Sequence, residues 1–136
     1  YLVAALIRQE SAYNPTARSP KNARGLMQLL PSTASRFGLA RKQSLFDPET
    51  NIRVGTRFLS HLMDRFDGNI IQMLAGYNAG PGHIEGWKAR YPAEDEVLFS
   101  ESIPFRETRD YVSLIQRNLF WYKTLYPNAV RVAKQR

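Results

Sequence analysis

One glutamate, Glu10, stands on the apolar side of the first predicted helix, in the last turn of that helix. Leu6 and Ile7 precede it by four and three residues, and this spacing places all three side chains on one helical face. Burial there and the negative end of the helix dipole both disfavour the ionised carboxylate. We therefore expect Glu10 to have the raised pKa of a general acid. A partly buried glutamate that bonds a loop N–H group or an arginine is the alternative.

Two further stretches, "RGLMQLLP" and "LAGYNAGPG", combine glycines with amide and aromatic side chains. Glycine lets the backbone come close to a ligand. Gln28 and Asn78 can bond the hydroxyl and acetamido groups of a sugar, and the ring of Tyr77 can cover the apolar face of a pyranose. The pattern is typical of a carbohydrate site. The same glycines would also fit simple helix ends, and Tyr77 would also fit a core position.

A third stretch, "ESIPFRETRDYV", places Glu107 near the start of the last predicted helix. The positive end of the helix dipole favours its negative charge there. Tyr111 follows one turn later on the same face. A capping glutamate that pairs with an arginine is the alternative role for Glu107.

The chain lacks the residues that several other kinds of functional site require. The chain has no cysteine, which excludes disulfides, thiol nucleophiles and cysteine-type zinc sites. It has no Ser-His-Asp arrangement and no phosphate-binding loop, and neither His61 nor His83 has a partner at metal-ligand spacing. We therefore expect no metal and no cofactor, and we interpret both histidines as surface or structural residues.

The net charge of +7, from 19 lysines and arginines against 12 acidic residues, favours a polyanionic partner. A nucleic-acid site needs basic residues interleaved with aromatic ones along one face. Only "RNLFWYK" offers this, and its aromatic residues are spaced like core residues, so we expect no nucleic-acid partner. No apolar run approaches the roughly 20 residues of a transmembrane helix.

Hydrophobic spacing predicts helices in nearly the whole 136-residue chain, which has the length of one domain. Asp47 is the predicted N-cap of the clearest helix. Polar loops are predicted at residues 15–25 and 92–103, and a short strand pair around "LMQLL" stays possible. The segments predicted to be helical, with their flanking caps and stops, are residues 1–14, 31–38, 45–68, 69–80, 83–92 and 106–127.

In this order, "QESAYNPTARSPKNARGLMQLLPSTA", "AGYNAGPGHIEGW" and "ESIPFRETRDYV" resemble the signature blocks of the soluble lytic transglycosylases. These goose-lysozyme-like enzymes cleave peptidoglycan. The resemblance implies a mainly α domain of the lysozyme-like α+β superfamily, with several helices around a substrate cleft and at most a very short β-hairpin. It implies a catalytic domain at residues 1–127, a basic tail at 128–136, and a longer chain with an N-terminal helical domain.

Carried to the matching positions, the resemblance implies that Glu10 is the catalytic acid and base. It would protonate the bond between N-acetylmuramic acid and N-acetylglucosamine, and would then deprotonate the muramic C6 hydroxyl, which closes on C1 as a 1,6-anhydro sugar. The substrate's acetamido group would do the work of the second carboxylate of other glycosidases. The implied partner is the glycan strand of peptidoglycan, in the bacterial periplasm and associated with the outer membrane. The implied substrate-binding residues are Ser19, Met27, Gln28, Tyr77, Asn78, Glu107 and Tyr111.

Three residues depart from the family pattern. Gly76 and Leu30 stand where alanine and methionine are usual, and we expect both to affect the sugar subsites. Arg24 stands where a small residue is usual. Two alternative functions stay open, a goose-type lysozyme that hydrolyses the bond and a non-catalytic wall-binding module. The hydrolase would need a second carboxylate, and the loop candidates are Asp95, Glu96 and Glu101.

Overall fold

The computed structural model describes residues 1–129, which form seven α-helices. Most of the predicted basic tail, from residue 130 onwards, lies outside the described residues. The helices are α1 (Leu2–Ser11), α2 (Pro31–Arg36), α3 (Pro48–Arg65), α4 (Ile70–Ala79), α5 (Pro81–Arg90), α6 (Glu96–Ser102) and α7 (Arg106–Leu125).

The mainly helical fold is confirmed. Between α1 and α2 the backbone forms two isolated antiparallel bridges, one from Arg18 to Arg24 and one from Arg24 to Leu29, in place of a strand pair. None of the helices within residues 1–129 is long and apolar enough to span a bilayer.

Helix α7 is the central element of the packing. It lies against α1, α4 and α6, while α4 also packs on α3 and α5, and α2 packs on α3. Leu6, Leu62, Leu74 and Ile115 are fully buried where these helices meet. The ends of α1 and α4 and the start of α7 are thereby held in one rigid framework.

Helix ends follow local chemistry. The predicted cap of α3 is confirmed, because the carboxylate of Asp47 accepts a 3.0 Å hydrogen bond from the Thr50 amide. The first helix ends at Ser11, earlier than the Asn14-Pro15 boundary predicted from proline. Ala12 takes the left-handed conformation, with φ at 50°, and its amide bonds the Arg8 carbonyl oxygen as a C-cap.

The predicted loop at residues 92–103 is partly wrong, because it contains α6. Asp95 caps this helix by accepting 3.0 Å hydrogen bonds from the amides of Val97 and Leu98. Phe99 is its single buried residue. Seven residues with one buried side chain show no apolar period, so the helix depends on its cap and on packing against α7.

The interpretation of the aromatic residues in "RNLFWYK" as core residues is also wrong for two of them. Phe120 and Trp121 are 62% and 52% exposed, and Leu125, predicted on the same face as Tyr111, is 62% exposed. Phe120 and Trp121 stand nine and ten residues after Tyr111, which places them off the helical face that Tyr111 buries. Beyond Asn118 that face is covered only in part, by contacts such as that of Tyr122 with the core.

Candidate active site

Glu10 lies in the last turn of α1, half-buried, at the wall of a cleft cavity of about 340 Å³. We call this the Glu10 cavity. It brings together six of the eight predicted site residues, from α1, the following loop, the end of α4 and the start of α7: Glu10, Ser19, Gln28, Tyr77, Asn78 and Glu107. Residues distant in sequence therefore converge on one carboxyl group.

The pKa of Glu10 is raised from its ordinary value of 4.5 to about 7, as the sequence predicted. Burial is the largest cause, because it disfavours the ionised carboxylate. The negative charge of Glu107 adds to the rise, while the hydroxyl of Tyr111 lowers the pKa part of the way back. The helix dipole expected to contribute is not among these causes. Near neutral pH, Glu10 is therefore divided between its protonated and ionised forms.

Tyr111 lies behind Glu10, in an adjoining cavity of about 320 Å³ that Glu10, Asn78 and Glu107 also line. Its ring is buried, and burial together with the charge of Glu10 raises the pKa of its hydroxyl well above the ordinary value. The hydroxyl makes no hydrogen bond of ordinary geometry within residues 1–129, although it interacts with the Glu10 carboxyl group. Tyr111 is thus a neutral hydroxyl group that faces the Glu10 carboxyl group as a potential donor.

Ser19 and Gln28 come from the long loop between α1 and α2. The Oγ of Ser19 accepts a 3.0 Å hydrogen bond from the Ala23 amide, which closes a tight turn beside the cavity. Gln28 has a φ of 50°, and its side-chain nitrogen donates to the carbonyl oxygens of Ala17 and Gly25 at 3.1 and 2.9 Å. With its nitrogen engaged inside the loop, Gln28 offers a ligand its side-chain oxygen.

A buried asparagine, Asn51 of α3, holds this loop in place. Its side-chain oxygen accepts a 2.8 Å hydrogen bond from the Met27 amide, and its nitrogen donates to the carbonyl oxygens of Arg24 and Leu45 at 2.9 and 2.8 Å. Gly25 makes the approach possible, since its φ is 77° and a Cβ there would stand 2.2 Å from the Leu45 oxygen. The loop is therefore fixed by core contacts.

Two more side chains tie the loop to the helices beside it. The hydroxyl of Ser11, the residue after Glu10, donates to the Leu26 carbonyl oxygen at 2.8 Å. The hydroxyl of Tyr77 donates to the Met27 carbonyl oxygen at 2.5 Å. The side chain of Met27 itself is fully buried against Gly55, so the structure does not bring it into the cleft with the other predicted site residues.

Tyr77 and Asn78 stand at the C-terminal end of α4. The Tyr77 ring lies 5.1 Å from the ring of Phe58 between centroids, and burial and the charge of Glu10 raise the pKa of its hydroxyl well above the ordinary value. The side-chain oxygen of Asn78 accepts a 2.7 Å hydrogen bond from the Thr108 hydroxyl of α7. Both residues are thus held by contacts behind the cleft surface.

The cleft continues beyond Tyr77 into a second cavity of about 330 Å³. The residues that this second cavity shares with the Glu10 cavity are Lys21, Gln28, Leu30, Tyr77 and Asn78. Its aromatic residues touch in series, because Phe37 and Phe58 are also 5.1 Å apart. Its ionisable residues among those described are basic or imidazole side chains, and no carboxylate lines it. They are Lys21, Arg36, His61 and Arg65. We call this the basic cavity.

Of the three residues that depart from the family pattern, two line the cleft cavities and one does not. Gly76 and Leu30 line the basic cavity, and Leu30, which is 41% exposed, also lines the Glu10 cavity. Arg24 lies outside the cavities that contain Glu10, and its guanidinium bonds the Asn22 side-chain oxygen at 3.2 Å. His61, interpreted as a surface residue, is exposed as expected, yet it lines the basic cavity beside Phe37 at 5.2 Å.

The three carboxylates considered for the hydrolase alternative are not in the Glu10 cavity. Asp95 caps α6, and Glu96 and Glu101 belong to that helix instead of a loop. Both glutamates line a separate cavity of about 330 Å³ between α6 and α7. Across residues 1–129 no group of three histidine or acidic side chains is arranged to hold a metal ion.

Sequence reasoning missed three residues that position the site, Ser11, Asn51 and Thr108. Asn51 could have been found, since it stands three residues before Val54 and eight before Leu59 on the apolar face of α3. A polar residue on such a face requires buried partners. The contacts of Ser11 and Thr108 depend on how α1 and α7 pack against distant segments, and neighbouring sequence carries no signal of that.

Comparison with known proteins gives consistent results. The transglycosylase SLT domain family matches residues 1–99. The soluble lytic murein transglycosylase of Escherichia coli K12 is 43% identical, over 90% of this chain and 20% of its own length. The membrane-bound lytic murein transglycosylase F of Shewanella pealeana is 34% identical, over 91% of this chain and 26% of its own length.

Solved structures resemble the fold closely. The 70 kDa soluble lytic transglycosylase in complex with bulgecin A has a TM-score of 0.86 at 41% identity and covers 91% of this chain. An inactive glutamate-to-glutamine mutant of the lytic transglycosylase Slt from Pseudomonas aeruginosa has a TM-score of 0.83 at 38% identity, over 90% of this chain. The chain spans about a fifth of the length of each, since 21% of each structure is covered.

Proposed function

Because the chain belongs to the transglycosylase SLT domain family, we propose that it is a peptidoglycan lytic transglycosylase. The reaction cleaves the β-1,4 bond between N-acetylmuramic acid and N-acetylglucosamine and forms 1,6-anhydro-N-acetylmuramic acid. The observation that carries the proposal is Glu10, whose pKa is about 7 at the wall of a cleft lined by amide and aromatic side chains.

One carboxyl group with this pKa can serve both halves of the reaction. Protonated Glu10 gives its proton to the glycosidic oxygen, and the bond from that oxygen to C1 breaks. The acetamido group of the muramic residue stabilises the positive charge at C1. Ionised Glu10 then takes the proton of the C6 hydroxyl as O6 bonds to C1. Glu10 ends protonated, and no water is consumed.

The neighbouring residues supply the setting for Glu10. Glu107 helps Glu10 keep its proton through its negative charge, and the Tyr111 hydroxyl stabilises the carboxylate after the proton has left. Ser19, Gln28 and Asn78 offer polar groups to the sugars at the cavity wall. We assign substrate contacts to these residues and to Tyr77, whereas Met27 acts through its backbone, which holds Tyr77.

The basic cavity fits the substrate class. Its touching aromatic rings suit sugar rings, and its basic side chains suit an anionic polymer. We propose that the glycan strand of peptidoglycan runs from the Glu10 cavity into the basic cavity. The net charge of +7 supports association with such a polymer.

The same reasoning extends to the setting of the protein. We propose that residues 1–127 are the catalytic domain of a longer protein, with residues 128–136 as a basic tail and a helical domain on the N-terminal side. The relatives are named as murein transglycosylases, soluble or membrane-bound. We therefore propose that the protein acts in the bacterial periplasm, close to the outer membrane.

The test is digestion of purified peptidoglycan, with mass spectrometry of the released fragments. The wild type should release anhydro fragments, each lighter by one water than the hydrolysis product. Glu10→Gln should release none, because an amide cannot donate and retrieve the proton. Glu49→Gln is the matched control, since Glu49 is exposed in the first turn of α3, and it should cleave like the wild type.

Two outcomes would favour other functions. Fragments with a hydrated reducing end would identify a hydrolase of the goose-lysozyme type. Binding of peptidoglycan without cleavage, equal in the wild type and Glu10→Gln, would identify a wall-binding module. Either outcome would overturn the proposal.

A further inference from the structure

We propose that Thr108 is a positioning residue that orients the Asn78 amide group, so that the cleft meets its nitrogen as a hydrogen-bond donor. The inference rests on the proposed function, since it concerns how the same cleft binds its glycan. Thr108 lies outside the three cavities that contain Asn78, so it does not itself line the cleft.

The burial of Thr108 makes its hydroxyl group depend on Asn78. Thr108 is 1% exposed in the first turn of α7, and its hydroxyl donates to the Asn78 side-chain oxygen at 2.7 Å. This is the hydroxyl's one hydrogen bond to the described residues. A buried hydroxyl proton without an acceptor is destabilising, and within residues 1–129 the Asn78 oxygen is the acceptor that this proton has. The packing of α7 on α4 therefore favours the Asn78 orientation whose oxygen faces Thr108.

The orientation decides which polar atom the substrate meets. In a carboxamide, the oxygen and the nitrogen branch from the same carbon and point in different directions, so one side chain can present its acceptor to one partner and its donor to another. Because the oxygen of Asn78 faces Thr108, its nitrogen is left for the cleft, and within residues 1–129 no acceptor bonds it. Asn78 lines both the Glu10 cavity and the basic cavity, so this donor stands where the two meet.

Gln28 has the opposite arrangement. Its nitrogen is engaged by the carbonyl oxygens of Ala17 and Gly25, which leaves its side-chain oxygen for the cleft. The two amides that line the Glu10 cavity therefore offer one acceptor and one donor. We assign the Asn78 donor to an oxygen of the glycan, either a hydroxyl or an acetamido carbonyl.

The test compares Thr108→Val, which keeps the shape and loses the donor, with Thr108→Ser, which keeps the donor. On peptidoglycan, Thr108→Val should lower kcat/KM about 10-fold, and Thr108→Ser should stay within about twofold of the wild type. In an Asn78→Ala background, Thr108→Val should cause no further loss. A role limited to stability would lower activity equally in both backgrounds, and that result would overturn the inference.

A binding measurement separates this inference from the proposed function. In the Glu10→Gln background, calorimetry with an N-acetylglucosamine oligomer as the probe should show about 10-fold weaker binding for Thr108→Val and near-unchanged binding for Thr108→Ser. Equal affinities of Glu10→Gln alone and of Glu10→Gln with Thr108→Val or Thr108→Ser would overturn the inference. Absence of anhydro products from the wild type would overturn the proposed function and leave this binding comparison intact.

Discussion

The hydroxyl of Tyr77 donates a 2.5 Å hydrogen bond to the carbonyl oxygen of Met27, which joins the end of α4 to the loop that carries Gln28. Both ends of this bond belong to segments that line the cleft. Through it, the ring that faces the cleft and the loop opposite are fixed relative to each other.

Replacement of Tyr77 by phenylalanine tests this connection. Tyr77→Phe keeps the ring and its contact with Phe58, but leaves the Met27 carbonyl oxygen without its partner. We expect the free energy of unfolding to fall by about 1–3 kcal/mol, as for a buried polar group that loses its partner. Urea unfolding measures this. Tyr126→Phe is the control, because Tyr126 is 58% exposed, and an equally small effect of both would contradict the assignment.

The pKa of Glu10 predicts how cleavage depends on pH. The proposed reaction begins with protonated Glu10, and that form is lost as the pH rises through about 7. The rate of cleavage at low substrate should therefore fall on the alkaline side of about pH 7. Glu107→Gln removes the charge that helps to hold the proton, so the alkaline limb should move to lower pH. An unchanged limb would show that Glu107 does not act on Glu10.

Stability should depend on the same proton. Glu10 ionises near pH 7 when folded and near 4.5 when unfolded, so the folded state binds the proton more tightly. Its contribution to the free energy of unfolding is fully present below 4.5 and is lost as the pH rises through 7. The loss is at most about 3.5 kcal/mol, at about 1.4 kcal/mol for each pKa unit.

Glu10→Gln has no ionisable group at position 10, so its free energy of unfolding does not contain this pH-dependent contribution. Its melting temperature relative to the wild type should therefore rise between about pH 5 and about pH 8, while Glu49→Gln should follow the wild type throughout. A constant difference between Glu10→Gln and the wild type across this range would show that Glu10 is not buried in the way described.

Asn51 should be one of the most sensitive positions for stability. Asn51→Ala leaves the Met27 amide and the carbonyl oxygens of Arg24 and Leu45 without partners in a buried site. We expect a loss of about 3 kcal/mol or more, together with loss of cleavage, because the loop that carries Gln28 is released. Ser60→Ala, on the exposed face of α3, should change the free energy of unfolding by less than about 0.5 kcal/mol.

Gly76 has a packing partner that alanine would disturb. A Cβ at this position would lie 2.9 Å from the ring of Phe66, so the ring would have to move. Alanine gains about 1 kcal/mol in helix propensity, but overpacking costs about 1–3 kcal/mol. Gly76→Ala should therefore be neutral or destabilising by up to about 2 kcal/mol in thermal unfolding. The Gly76→Ala, Phe66→Leu double variant should behave better than the sum of its parts, and strict additivity would contradict this account.

The sequence was informative where chemistry is local. The cap at Asp47 could be read directly, and so could the helical face that buries Glu10 and raises its pKa. Gln28, Tyr77, Asn78, Glu107 and Tyr111 could be proposed from residue types and spacing, and the resemblance added Ser19 and Met27. The structure gathers all of them except the Met27 side chain around Glu10. In this chain Met27 is part of the scaffold, because its side chain packs on Gly55.

The rest depended on tertiary packing. Helix α6 is too short for a hydrophobic period, so only its cap at Asp95 could have revealed it. Leu125 follows the spacing of the face that Tyr111 buries, yet it is 62% exposed. Spacing shows which residues share a face, but it does not show where the covering core ends.

The loop between α1 and α2 carries Ser19 and Gln28, and its backbone is held by side chains of α1, α3 and α4. Its amide protons at Met27 and Leu29 should then exchange with solvent as slowly as those of the helices, through opening of the whole domain. A cleft wall of this kind is already formed before the proposed glycan substrate arrives. Binding would order few residues, so the association rate would be set by diffusion and charge and would involve no closing step.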